Sequence, residues 1–149
     1  MVCALAAIHD EPILSKELVS YCHFDYEFQL NQSSITCYTA DKDQDRTKVW
    51  DTLETHIQAI HFQKNVLCFA HQDLYDPQIS IYSLKGQKLI SFRHKDLKGT
   101  VWSIKMSPHG HLLILADYFW RKDESFSYDG TRLYIFTPQG HRLCTSLSV

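Results

Sequence analysis

Residues 101–117, VWSIKMSPHGHLLILAD, followed after an aromatic, charged insertion by YDGTRLYIF at 128–136, decide how this chain folds. The stretch contains an alternating apolar run, a polar turn, a nearly continuous apolar run closing on Ala116, and a last run ending in an aromatic. IQAIHFQKNVLCFAH at 57–71 and ISIY at 79–82 repeat that order, with Ala70 in place of Ala116. Ile57 and Val101 stand 44 positions apart, Ala70 and Ala116 stand 46 apart, and Ile81 and Ile135 stand 54 apart, so register drifts only in the loops. A weaker third copy lies upstream: Tyr26 to Leu30, the turn Asn31-Gln32-Ser33-Ser34, ITCYTA ending at Ala40, the charged loop 41–46, and Lys48-Val49-Trp50-Asp51. A period of this length fixes architecture before any single motif does.

Within each unit the period is that of strands. Cys22, Phe24, Tyr26 and Phe28 alternate with His23, Asp25 and Glu27, the pattern of a half-buried strand. The runs VLCFA at 66–70 and LLILA at 112–116 are apolar on both faces, which suits strands covered on both sides. Ser107-Pro108-His109-Gly110 and Asp129-Gly130 read as turns between strands. Lys85 to Phe92 and Gln139 to Ser146 each add a glycine turn and a fourth strand. Trp102, Ile104, Leu113, Leu115 and Ile135 are the expected core. Asp10-Glu11-Pro12 before ILSKELV reads as a helix start or an edge strand.

Residues 94–136 resemble a WD-repeat blade, in which a His opens the unit, S-P-x-G links the first two strands, and D-G-T precedes a strand ending in Trp-Asp. On that resemblance His94, Ser107, Pro108, Gly110, Asp129, Gly130 and Phe136 are structural blade residues, and Trp50-Asp51 is the one literal Trp-Asp pair. Arg93 replaces the usual Gly, Phe136 the usual Trp, and LLILA lacks the Ser or Thr of the family's hydrogen-bonded set, of which His94 and Asp129 are expected to keep a part. The resemblance implies an all-β fold of antiparallel, WD40-like β-propeller blades. It also implies a non-catalytic protein-binding or scaffold role. A generic antiparallel sheet protein is the alternative fold.

Propellers have roughly four to eight blades, whereas 149 residues at about 40–50 per blade give about three. The expectation is therefore a partial or open propeller, or copies assembling through exposed edge strands. One domain, 1–149, divides into an N-terminal segment 1–23, a degenerate unit 24–55, a unit 56–93 and the best unit 94–149. The first unit has only Thr52 to His56 left after Trp50-Asp51, too little for a fourth strand.

A net charge of −2 offers no field for nucleic acid or an anionic membrane, and the N-terminal VCALAAI is too short to span one. Five cysteines without a Cys-x-x-Cys read as reduced, placing the chain in the cytoplasm or nucleus. Nine histidines include His109-x-His111, His56 and His61, yet no spacing supplies the three or four convergent ligands of zinc, and no cofactor or catalytic motif appears. The distinctive segment is the insertion between Asp117 and Asp129. Its Tyr118, Phe119, Trp120, Arg121 and Tyr128 are residue types enriched at binding hot spots. Asp73 and Tyr75 are expected to line the same rim. The competing reading is that Phe119 and Trp120 extend a hairpin and cover a sheet edge. A second function class is a sugar-binding module of oligomerised blades, stacking rings on Trp102 and Trp120; an enzyme or metal-binding β protein comes third.

Overall fold

The computed structural model describes residues 12–39, 46–54, 56–72, 76–122 and 125–148; for 120–126 and 145–148 it describes at most the backbone. Twelve strands and no helix occur among these residues. Sheet 1 contains β1 (Val19–His23), β2 (Tyr26–Leu30), β3 (Ser34–Thr39) and β4 (Lys48–Leu53). Sheet 2 contains β5 (Ile57–Gln63), β6 (Val66–His71), β7 (Gln78–Ser83) and β8 (Lys88–Phe92). Sheet 3 contains β9 (Val101–Met106), β10 (Leu112–Lys122), β11 (Ser125–Phe136) and β12 (Arg142–Ser148). Each sheet is an antiparallel meander with its strands in chain order. The all-β, repeated-sheet expectation is correct at that level.

Sheet 2 is the middle layer. One of its faces, with Ile60, Phe62, Leu67, Phe69 and Tyr82, packs on Tyr21, Phe28, Leu30, Ile35 and Cys37 of sheet 1. Its other face, with Ala59, Cys68, Ala70, Ile79 and Ile81, packs on Val101, Ile104, Leu112, Ile114, Ala116, Tyr134 and Phe136 of sheet 3. The first interface is a net of rings, including Phe28 with Phe62 at 4.7 Å and Phe69 with Tyr82 at 5.4 Å. In the second, small and aliphatic side chains of sheet 2 meet a sheet 3 face that carries the Tyr134 and Phe136 rings.

Two aromatic plugs recur between sheets. Trp50 of β4 lies over the turn between β7 and β8, where a Cβ on Gly86 would come 2.5 Å from its Cγ, and its Nε1 donates to the Leu84 carbonyl at 2.8 Å. Phe92 of β8 stands in the same way over the β11–β12 turn, where a Cβ on Gly140 would be 2.7 Å from its ring. Both turns belong to a threefold set. Ser83, Ser107 and Thr137 each donate a backbone N–H four residues ahead, to Gln87, His111 and His141. Their side-chain oxygens accept the N–H of the same three residues, and Gly86, Gly110 and Gly140 take positive φ. Glycine closes these turns because other residues resist that angle.

Several expectations need correction. The alternating stretch 22–28 is two strands joined by a turn at Phe24, whose φ is 53° and which is 66% exposed. The first sheet therefore starts at Val19, inside the segment assigned to 1–23. Sheet 1 gains a fourth strand in front, where the sequence reading had sought it behind. ITCYT consequently lies on β3, equivalent to β7, and Trp50-Asp51 lies on β4, aligned with Phe92 and not with Phe136. Asp129-Gly130 is no inter-strand turn: both lie inside β11, where two residues oppose Tyr118 and Gly130 has φ 84°, a bulge. Of the expected core only Ile104 is buried; Leu113, Leu115 and Ile135 are half-buried on the outward face of sheet 3, and Trp102 is 60% exposed. Residues 12–18 form neither helix nor strand. Cys22 is disulfide-bonded, against the reading of all cysteines as reduced, while Cys37, Cys68 and Cys144 are free. Burial pushes the Cys37 thiol up to about 12, only partly offset by Trp50.

Candidate functional site

The chemistry-bearing residues gather at one end of sheets 2 and 3. There β9 begins, β6 ends and the β10–β11 hairpin leaves its sheet. Asp117, buried, organises this rim. Its Oδ1 accepts the Trp102 Nε1–H at 2.7 Å, its Oδ2 accepts the Thr100 N–H at 3.1 Å, and its own N–H donates to the Thr100 carbonyl at 3.0 Å. The indole is thus held at its polar edge while its ring lies in solvent. Gln58 of β5 takes the Val101 N–H on Oε1 at 2.9 Å and donates from Nε2 to Gln72 Oε1 at 2.7 Å. A side chain of sheet 2 therefore satisfies the free edge of sheet 3.

Two cavities meet at this point. One, about 450 Å³, is lined by Gln32, His56, Gln58, Gln72, Thr100 and Trp102, with Leu14, Ile57 and Val101 beneath. The other, about 240 Å³, lies between Pro12-Ile13-Leu14 and Ala59, Ile60 and Ile104. Leu14, Gln58 and Trp102 border both. His56 holds φ 50°, and its carbonyl accepts the Gln72 N–H at 3.1 Å. Non-glycine residues at such angles are uncommon and collect at functional sites.

The insertion is a hairpin arm, not a loop. β10 and β11 pair on through Phe119↔Tyr128, Trp120↔Ser127, Arg121↔Phe126 and Lys122↔Ser125, beyond the last pairs to β9 (Ala116↔Val101) and β12 (Arg132↔Ser148). The arm is fixed at its root. A Cβ on Gly99 would lie 2.6 Å from the Phe119 ring, so the chain reaches Phe119 closely only because residue 99 is glycine. The Arg132 guanidinium stands 3.7 Å over Tyr118, and Phe119 meets Tyr128 edge-on at 5.7 Å. Tyr128 is 60% exposed. Trp120 and Arg121 lie on the arm; Asp73 and Tyr75 lie outside the described residues.

The blade residues are scattered differently from the resemblance. His94 meets Phe136 edge-on at 5.0 Å and accepts the Asp96 N–H at 3.1 Å, whereas Asp129 faces Arg132 at 4.0 Å. A polar chain sits instead in sheet 2. His71 Nδ1 is 3.3 Å from Glu54 Oε2, and its Nε2 is 3.3 Å from Ser80 Oγ, which meets Ser91 Oγ at 3.3 Å. The order Glu, His, Ser is that of a nucleophilic relay, but Ser80 is buried, at 1% exposure. The chain acts as an internal tie, joining the sheet 1–sheet 2 connection to β7. Among the described residues no group of three or more His, Cys, Asp or Glu side chains could hold a metal ion, and no helix is long and apolar enough to cross a membrane.

Trp102 was missed as a surface residue because one position in a strand decides its face. In sequence it stands in phase with Ile104 and Met106, but the pairing of β9 shifts between Ser103 and Val101, so Trp102 lies opposite no residue of β10 and sits in a bulge.

No family model and no curated protein matches this chain. Among the solved structures 23 chains match, including one described as "KlHsv2 with loop 6CD replaced by a Gly-Ser linker", with a TM-score of 0.59 and 10% identity. The alignment covers 91% of this chain and 42% of that one, so the chain spans less than half the length of that protein. At this identity the likeness concerns the fold alone.

Proposed function

We infer that the three sheets are consecutive blades of a partial WD40-like propeller, and that the protein is a non-catalytic module to which other proteins dock at the arm and rim of sheet 3. The carrying observation is the arm: a two-stranded ribbon that extends past both neighbouring strands yet is anchored at its root by Phe119, Tyr118 and Arg132. Recognition elements on a rigid scaffold bind with little ordering cost. The three meanders in chain order support the blade reading, and the burial of Ser80 supports a non-catalytic one. Self-association at exposed outer strands, such as β4 with Val49 and Leu53 in solvent, belongs to the same proposal.

The test starts from a partner identified by affinity capture and measures its binding by calorimetry. Tyr128→Ala, Trp120→Ala and Arg121→Ala should each weaken it by at least about 1 kcal/mol, with thermal unfolding nearly unchanged. Intact binding together with a lowered melting temperature would make the arm a structural flap and sink the recognition role.

A further inference from the structure

The geometry points to the cleft across Trp102 as a binding site for an extended, uncharged peptide segment carrying proline or aliphatic residues. This rests on the protein-binding reading but uses a different surface from the arm. Three observations carry it.

The first is shape. Leu14, Gln58 and Trp102 border both cavities, so the two adjoin as one cleft with an apolar part, at Ile13, Ala59, Ile60 and Ile104, and a polar part, at Gln32, Gln58, Gln72 and Thr100. Two adjoining cavities of unlike polarity suit successive residues of a chain, and about 450 Å³ in the larger lies within the usual range for ligand pockets.

The second is the indole. Trp102 is 60% exposed, and its Nε1–H is consumed by Asp117, so what it presents is a flat apolar face at a fixed angle. A pre-positioned aromatic face beside hydrogen-bonding side chains is how grooves recognise proline-containing extended segments, whose own stiffness lowers the ordering cost. The chain's own Pro12-Ile13-Leu14 lines the same cavity as Trp102, tied to sheet 1 where the Ser15 carbonyl accepts the Gln32 N–H at 2.8 Å.

The third is charge. Among the described residues no Asp, Glu, Lys or Arg lines either cavity, and Asp117 beside them has both carboxylate oxygens engaged, by the Thr100 N–H and the Trp102 indole. A charged group entering the cleft would lose hydration without a partner, which is costly. Peptide amides, by contrast, find the amide side chains of Gln58 and Gln72.

The experiment titrates the whole chain with the capped peptide Ala-Pro-Pro-Leu-Pro-Pro-Ala, following tryptophan fluorescence and amide NMR shifts. Saturable binding is expected, weakened about tenfold or more in Trp102→Ala, and by far less in Trp102→Phe, which keeps a flat ring. Replacing both central prolines of the peptide by glutamate should abolish it. Melting temperatures measured alongside show whether the Trp102→Ala protein is folded; if it is not, the Trp102→Phe and glutamate-peptide arms decide. No saturation at millimolar peptide, equal affinity in Trp102→Ala, or equal affinity for the glutamate peptide would overturn the proposal. Displacement of nothing by the peptide but Trp102-dependent binding of maltotriose would overturn it in favour of a neutral saccharide. Because Tyr128→Ala leaves the cleft intact, it should titrate like the wild type. Failure of the arm reading is thereby distinguished from failure of this one.

Discussion

The runs VLCFA in β6 and LLILA in β10 look interchangeable in sequence, yet they meet different surroundings. In β6, Leu67 and Phe69 enter the ring-rich interface with sheet 1 while Cys68 and Ala70 enter the interface with sheet 3, so both faces are sealed. In β10, Leu112, Ile114 and Ala116 are buried against sheet 2, whereas Leu113 and Leu115, opposite Ile135 and Leu133, remain half-buried on the outward side. The other outward face, that of sheet 1, is polar, with Ser20, Glu27, Gln29 and Thr36, and with Arg46 paired to Glu27 and set 4.4 Å over Tyr38. Apolar patterning on both faces of a strand thus records that both faces suit burial. It does not record whether this chain supplies both covers.

The strongest way to break that contrast is to truncate each face in turn. Phe69→Ala should cost about 3–5 kcal/mol in denaturant unfolding, since the ring is fully buried among other rings. A loss below about 1 kcal/mol would show that sheets 1 and 2 are not packed as described. Within β10, Ile114→Ala should cost about 2–5 kcal/mol and its neighbour Leu115→Ala only about 1 kcal/mol. Equal losses would mean that the outward face is covered in solution, and sedimentation of the same samples would then reveal an assembly.

The glycine turns sharpen the comparison on a smaller scale. Gly86→Ala must accept both a positive φ and a Cβ driven into Trp50, whereas Gly130→Ala, at φ 84°, meets nothing within 4 Å. The first should cost about 2–3 kcal/mol and the second about 1 kcal/mol. Similar values would remove the plug of Trp50 as a fixed joint between sheets.

The smallest effect is one of pH. His23 Nε2 donates to the Lys64 carbonyl at 3.1 Å and its ring lies 5.5 Å from Phe62, joining sheet 1 to sheet 2. Burial lowers its pKa below the ordinary 6.5, outweighing the backbone contacts that raise it. The unfolded chain then binds the proton more readily than the folded one, so stability should fall as pH drops below 6.5 towards the lowered folded value. His23→Gln should flatten that part of the profile. An unchanged slope would take His23 out of the joint.

Much of the fold is legible in particular residues. The S/T-x-x-G turns at 83–86, 107–110 and 137–140 require glycine for a stated backbone reason, and the apolar periods around them specify strands. The first unit was misread because Phe24, an aromatic in phase with Cys22 and Phe28, occupies a turn in left-handed geometry. Periodicity has no term for that angle, and the one-strand slip it caused carried Trp50-Asp51 onto the wrong strand. The arm was named by its composition, as residues 118–128, but its pairing as a hairpin was left open. Trp102 was named for the core, and the Gln58–Gln72 pair was not found at all, because their partners lie 15 and 14 residues away across strands.

By itself, the sequence determined an all-β chain of repeated units, the last two of them four-stranded, since period, turn chemistry and hydrophobic content are local properties of the chain. Tertiary structure alone decided which face of each strand is covered, where Trp50 and Phe92 plug the next sheet, and that Asp117 holds the Trp102 ring out beside a cleft. The physical reason is that a strand's side chains alternate whatever lies beyond them. Which side becomes interior depends on the neighbouring sheet, and that neighbour is set by packing between residues far apart in the chain.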